Sequence, residues 1–193
     1  MEISKNLLVD WVIPAPQTKN LKIAKEILLI FSFAFFTAIC AKIKIEIGVV
    51  PITAQTLAVL LSGALLGSLR GALSQFLYLL LGLFGAPFFA RGGGISYILS
   101  PSFGYIVGFV FCAYIVGYLA ERGWTKNYFL TFLAFILGNF FLYVPGLFYL
   151  ASFVGFEKVF QIGLLPFIPG DLFKIFLATY LLPTLWKIFP CCK

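Results

Sequence analysis

The chain has no histidine among its 193 residues. That removes the Ser–His pairing of common hydrolases and any histidine-built metal site. Four cysteines are present, but no metal-ligand spacing joins them. Only seven acidic residues occur, most of them at the ends of apolar runs. An intramembrane protease or a phosphate-transferring enzyme needs groups that this set does not supply. No GxxxxGK[ST] pattern appears, so the chain is not expected to bind and hydrolyse ATP by itself. Charge of either sign is scarce: 11% of residues, against about 25% in a soluble domain.

Apolar residues fill the space. They make up 62% of the sequence, and the mean hydropathy is +1.05. These values indicate an all-α integral membrane protein with no separate soluble domain. Six transmembrane helices are read at 26–42, 54–69, 72–84, 103–120, 128–149 and 171–188. The chain is taken as a single membrane domain, 1–193. It has an N-terminal arm at 1–25, a six-helix bundle at 26–189 and a short tail at 190–193. No cleavable signal peptide is expected, because Asp10, Pro14 and Pro16 interrupt the only early apolar patch. Leu7, Leu8, Trp11 and Val12 could share one face of a short surface helix; a loose cytoplasmic arm is the alternative. Cys40 and Cys112 read as buried thiols inside spans. Cys191 and Cys192 stand beside Lys193 in a tail read as unmodified rather than acylated.

The net charge of +7 is a topology signal here, with no nucleic-acid partner implied. With the N-terminus inside, the cytoplasmic side holds Lys5, Lys19, Lys22, Lys25, Arg70, Arg122, Lys126, Lys187 and Lys193. The other side holds Lys42, Lys44, Arg91 and Lys158, and Lys174 falls inside the sixth span. The positive-inside rule then places both termini in the cytoplasm of a multi-pass protein of the cell membrane. Arg91, Asp171 and Lys174 converge on the external face.

Five stretches carry chemistry. In "FIPGDLFK", Pro169 and Gly170 break the chain and Asp171 is an N-cap or first-turn residue. Asp171 and Lys174 are three apart and share a helix face. They form either a local ion pair with Lys174 reaching outward, or a ligand clamp; ionisable groups within spans cost roughly 2.5–3.5 kcal/mol at the centre and usually face a cavity. In the loop 82–105, Arg91 precedes Gly92, Gly93 and Gly94, while Phe88, Phe89 and Tyr97 could wall an apolar pocket. Arginine's planar fork suits a carboxylate, though a solvated loop arginine is the plainer reading. The connection 42–56 alternates charge with isoleucine, the period of a strand. Pro51 ends it, Thr53 can cap the second span, and Gln55 is a buried-amide candidate; the segment is an external flap or a plain connector. Ala34 and Ala38, like Gly104 and Gly108, are small residues four apart that let a helix approach, within the chain or from a partner subunit. Asn139 and Tyr143 lie on a common face of the fifth span, either bonding a neighbouring helix or lining a pocket.

The stretches "VPITAQTLAVLLSGALLGSLRGALSQFLYLLLGLFGAPFFARGGG", "SPSFGYIVGF" and "LLPFIPGDLFK" resemble the BioY family, the biotin-binding S components of energy-coupling factor transporters. The likeness runs from about residue 47 to residue 178. It implies an S-component-like bundle of six membrane helices in lipid, with biotin as transported ligand, no cofactor and no enzymatic step. It also implies partners, a coupling transmembrane subunit and two ATPase subunits. The family's ligand carboxylate and lysine fall on Asp171 and Lys174, its arginine on Arg91, and its subunit-docking motif on Ala34 and Ala38. The ureido ring of biotin offers N–H donors to Asp171 and a carbonyl to Lys174. Its valerate carboxylate suits Arg91, and its apolar core suits Phe88, Phe89 and Tyr143. Where the family pattern has Pro-Thr-Gly-Gly-Tyr, this chain has Pro101, Ser102, Phe103, Gly104 and Tyr105, so Phe103 is expected to add bulk near the pocket. An S component for another vitamin, or a structural membrane protein with a packing ion pair, are the alternatives.

Overall fold

Hydrocarbon offers no partner to a free backbone N–H or C=O, so a chain this apolar satisfies its amides in helices. The structure, a computed structural model, describes residues 7–14, 16–46 and 48–188. It contains α1 (Leu8–Val12), α2 (Lys19–Lys42), α3 (Gln55–Leu66), α4 (Ser68–Leu83), α5 (Phe103–Glu121), α6 (Tyr128–Val154), α7 (Val159–Gly163) and α8 (Ile168–Ile188). Between α2 and α3, β1 (Lys44–Ile45) pairs antiparallel with β2 (Ile52–Thr53), Lys44 opposite Thr53. The alternation read in the sequence thus becomes a short hairpin. Its turn passes through Gly48 at φ 73°, and Pro51 opens β2 rather than closing the segment.

Among the described residues, α2, α5, α6 and α8 are long and apolar enough to cross a membrane. Helices α3 and α4, with 12 and 16 residues, rise only about 18 and 24 Å, short of a hydrocarbon core of about 30 Å. The sequence boundaries also shift. Helix α2 begins at Lys19, inside the segment expected to be an arm. The break between α3 and α4 falls at Gly67, φ 89°, three residues before Arg70. There the Glu121 carboxylate accepts from the Ser68 N–H at 2.7 Å and its hydroxyl at 2.8 Å, capping α4 from α5.

Helix α5 lies at the centre, between α3, α4 and α6. A Cβ on Gly108 would sit 2.3 Å from the Leu142 carbonyl, and one on Gly104 would sit 2.4 Å from Tyr149 Cβ. These glycines therefore serve packing inside the chain. The same holds for Ala34 and Ala38, which are 0% and 6% exposed.

At the far end from the hairpin, α1 holds Leu8, Trp11 and Val12 at i, i+3 and i+4; Leu7 and Leu8 are buried while Trp11 and Val12 are exposed. Among the described residues of the arm, the Asp10 carboxylate accepts from Lys25 at 3.0 Å and Arg70 at 2.9 Å, and Arg70 also pairs with Glu26. Lys5, and the tail with Cys191, Cys192 and Lys193, fall outside the described residues.

Candidate functional site

The head of α8 carries the first two functional groups. Pro169 and Gly170 lie within its first turn rather than before it, a place where proline's missing N–H costs no helical bond. Asp171 is accordingly a first-turn residue and not the N-cap; its own N–H donates to the Phe167 carbonyl at 2.8 Å. Lys174 lies one turn on. Its ammonium is 3.0 Å from Asp171 Oδ1, 2.6 Å from the Thr53 carbonyl and 2.7 Å from Thr56 Oγ1. All three N–H donors thus have an acceptor.

Asp171 is equally well served. Thr56 donates to its Oδ1 at 3.1 Å, and the Tyr143 phenol donates to its Oδ2. The side chains are 6% and 14% exposed for Asp171 and Lys174. Two charges this deep persist because each is paired and fully hydrogen-bonded; removing either partner would strand the other.

The network forms one wall of a hollow roofed by Val50 and Pro51 of the hairpin. Gln55 and Ala90 join the lining at one side, and Tyr105, Phe167 and Leu142 at the other. Gln55 is held in place: its amide donates to Tyr78 at 2.6 Å and its carbonyl accepts from Thr53 at 2.9 Å. Thr53 Oγ1 in turn accepts from the Gln55 N–H at 3.3 Å, but the N-cap of α3 is Ala54 and not Thr53, against the capping role expected for it. Tyr105 donates to the Gly163 carbonyl at 2.8 Å and stacks on Phe167. The space open to the centre of a water-sized sphere is about 50 Å³.

A larger groove, about 470 Å³ on the same measure, runs between α6, α7 and α8. Asp171 and Tyr143 form its common wall with the hollow, but its other lining is apolar apart from Asn139. The smaller hollow is the one whose lining brings Asp171, Lys174, Tyr143, Thr56 and Gln55 together.

The structure therefore gathers Asp171, Lys174, Tyr143 and Gln55 around one space. Asn139 is buried and lines the groove instead, one helical turn from Tyr143 but on the outer side of the wall. Phe88 packs away from the hollow, stacked on Tyr78 and edge-on to Phe35. Phe89 is fully buried against Tyr97. Phe103, expected to crowd the pocket, packs on Tyr149, and its neighbours Ser102 and Tyr105 line the hollow. Arg91 stands at the rim beside Ala90. Its guanidinium binds Glu46 at 2.9 Å and the Val49 carbonyl at 3.0 Å, both on the hairpin. Tyr97, expected to wall an apolar pocket, lines the hollow, whereas Thr56, Ser102 and Tyr105 were not singled out as lining residues. Thr56 stood in plain view beside Gln55, in the same "PITAQT" stretch.

Comparisons with known proteins agree on the class of molecule. Residues 14–191 match the BioY family. A probable biotin transporter BioY of Pyrococcus horikoshii is 41% identical over 152 residues, covering 78% of this chain and 90% of that protein. A probable biotin transporter BioY of Lysinibacillus sphaericus is 37% identical, covering 85% of this chain and 88% of that one. Among solved structures, the S-component for biotin from an ECF-type ABC transporter superposes with a TM-score of 0.78. It is 28% identical, and the match covers 89% of this chain and 95% of that chain.

Proposed function

This chain belongs to the BioY family, and from that premise we propose that it captures biotin in the hollow beneath the 44–53 hairpin, as the substrate-binding subunit of an import system. It is a transporter component and not an enzyme. The observation that carries the site assignment is the buried Asp171–Lys174 pair, aimed with Tyr143 and Thr56 into a polar hollow in an otherwise apolar bundle.

The chemistry matches group by group. Biotin's ureido ring presents N–H donors to Asp171 and a carbonyl to Lys174. Lys174 already spends one donor on the Thr53 carbonyl, and a ligand carbonyl takes over that bond. Hydrogen bonds to charged groups are worth roughly 1.5–3 kcal/mol each. Tyr105, Phe167 and Tyr143 supply apolar walls for the bicyclic core, and Gln55 a fixed amide. The valerate tail leaves between Val50 and Ala90 toward Arg91. A bicyclic ligand exceeds the space present, so the hairpin lifts for entry and closes afterwards.

The wider assembly follows from the same reading. Helices α3 and α4 complete six spans, the hollow faces outward, and both termini lie in the cytoplasm of a cell-membrane protein. A binder cannot by itself drive uptake against a gradient. A coupling transmembrane subunit and two ATPase subunits supply that work, in keeping with the missing phosphate-binding loop.

The test is equilibrium binding of labelled biotin to the purified protein, with thiamine and riboflavin as competitors. Saturable binding that neither competitor displaces supports the reading. Displacement by either vitamin, or no saturable binding, overturns it.

A further inference from the structure

The Arg91 fork is already filled by a carboxylate. Arg91 Nη2 lies 2.9 Å and Nε 3.2 Å from Glu46 Oε2, a two-point grip on one carboxylate oxygen. The same guanidinium holds the hairpin backbone, at the Val49 carbonyl (3.0 Å) and the Gly48 carbonyl (3.4 Å). The pair stands at the mouth of the hollow. Ala90, next to Arg91, and Val50, next to Val49, both line it. Glu46 and Arg91 are half and one-third exposed, so water and ligand reach both. A carboxylate-tailed ligand whose ring sits against Asp171 and Lys174 brings its tail to this rim.

We propose that Glu46 is an internal stand-in for the ligand's carboxylate: it holds Arg91 itself, and an entering carboxylate displaces it. This rests on the reading that Arg91 receives the tail of biotin. The exchange makes Glu46 a specificity-determining residue. One carboxylate replaces another on an unchanged cation, so the fork is never left empty. A ligand without a carboxylate leaves the Glu46–Arg91 clasp on the hairpin untouched. Lys44, 2.6 Å from Glu46, gives the displaced carboxylate a partner, so its release strands no charge.

The experiment compares biotin with its methyl ester by calorimetric titration, on the parent protein, Glu46→Gln, Arg91→Gln and the double variant. Glu157→Gln, a second exposed carboxylate beyond the end of α6, controls for the general field. The parent binds the acid more tightly than the ester. E46Q tightens the acid about two- to fivefold, the scale of an exposed ion pair, and leaves the ester unchanged. E157Q changes neither. In the Arg91→Gln background, E46Q has no effect on the acid.

Equal parent affinity for acid and ester overturns the placement of the tail on Arg91, and the exchange with it. A parent that discriminates, with E46Q matching it for both ligands, overturns the exchange alone. Equal loss of acid and ester binding in E46Q makes Glu46 a clasp on the loaded state and overturns it too. An equal gain in E157Q reduces the effect to diffuse electrostatics, with the same consequence. Glu46 is exposed and lies outside the helices, so folding of its variants is checked simply by their unchanged thermal transition.

Discussion

Lys174 bridges two elements: its ammonium lies 3.0 Å from Asp171 on its own helix and 2.6 Å from the Thr53 carbonyl at the base of the hairpin. The head of α8 and the roof of the hollow are tied through one side chain. A ligand that takes Lys174 must compete with the hairpin for it. On the proposed function, occupancy of the hollow and position of the roof are linked through Lys174.

Lys174→Ala tests that bridge. It removes the only cation bonded to the Asp171 carboxylate among the described residues. Stranding one member of a buried pair costs about 3–5 kcal/mol. Thermal unfolding in detergent is expected to move down by several degrees, and biotin affinity to fall more than tenfold by titration. An unchanged transition would mean that the pair is solvated.

Tyr143→Phe is milder. It takes one donor from Asp171 Oδ2 and leaves Thr56 and Lys174 on Oδ1. One unsatisfied buried acceptor costs about 1–3 kcal/mol. Biotin binding should weaken about tenfold, measured by the same titration, while the fold persists. Asn139→Ala, by contrast, should leave affinity near the parent value, since Asn139 lines the groove and not the hollow.

Ala34→Trp and Gly108→Ala probe packing. A side chain at either position meets this chain's own neighbours. Overpacking costs typically 1–3 kcal/mol. Both variants should lower the yield of folded, monodisperse protein before any partner subunit is added. A normal yield and melting transition for Ala34→Trp would show that its side chain meets no tight neighbour within this chain.

Glu46 sets a pH signature. Lys44, and after it Arg91, hold the Glu46 carboxyl below its ordinary range. A carboxyl whose pKa is lowered keeps its interactions above that pKa and loses them as pH falls through it. The difference in biotin affinity between parent and Glu46→Gln should stay constant from about pH 5 to pH 8, on the carboxylate scale. It should shrink only in more acid solution, as Glu46 becomes neutral like the glutamine. Titrations across that range check it.

Much of the architecture was readable because hydrocarbon imposes a simple rule on backbone and side chain alike. Most long apolar runs became helices within a few residues of their expected ends, but α2 starts seven residues before its expected start at 26, and α6 continued through Pro145 to Val154. The Asp171–Lys174 pair was visible from its spacing and its cost. Boundaries near glycine were less so: Gly67, rather than Arg70, divides α3 from α4, because the turn needs a positive φ. Helix faces were legible only as faces. Asn139 and Tyr143 share a stripe, yet neighbouring α8 splits it into an inner and an outer side. Sequence spacing cannot show which neighbour lies across a helix. The same limit hid the hold of Arg70 on Asp10, 60 residues away, and the hold of Arg91 on Glu46, which is set by loop geometry.

The most direct measurement is calorimetric titration of biotin into the parent protein and into Asp171→Asn, an isosteric change that removes the charge proposed to meet the ureido ring. One-site binding by the parent, weakened at least tenfold in the variant, is the expected result. Equal affinity in the two proteins would contradict the assignment of the buried pair as the ligand clamp.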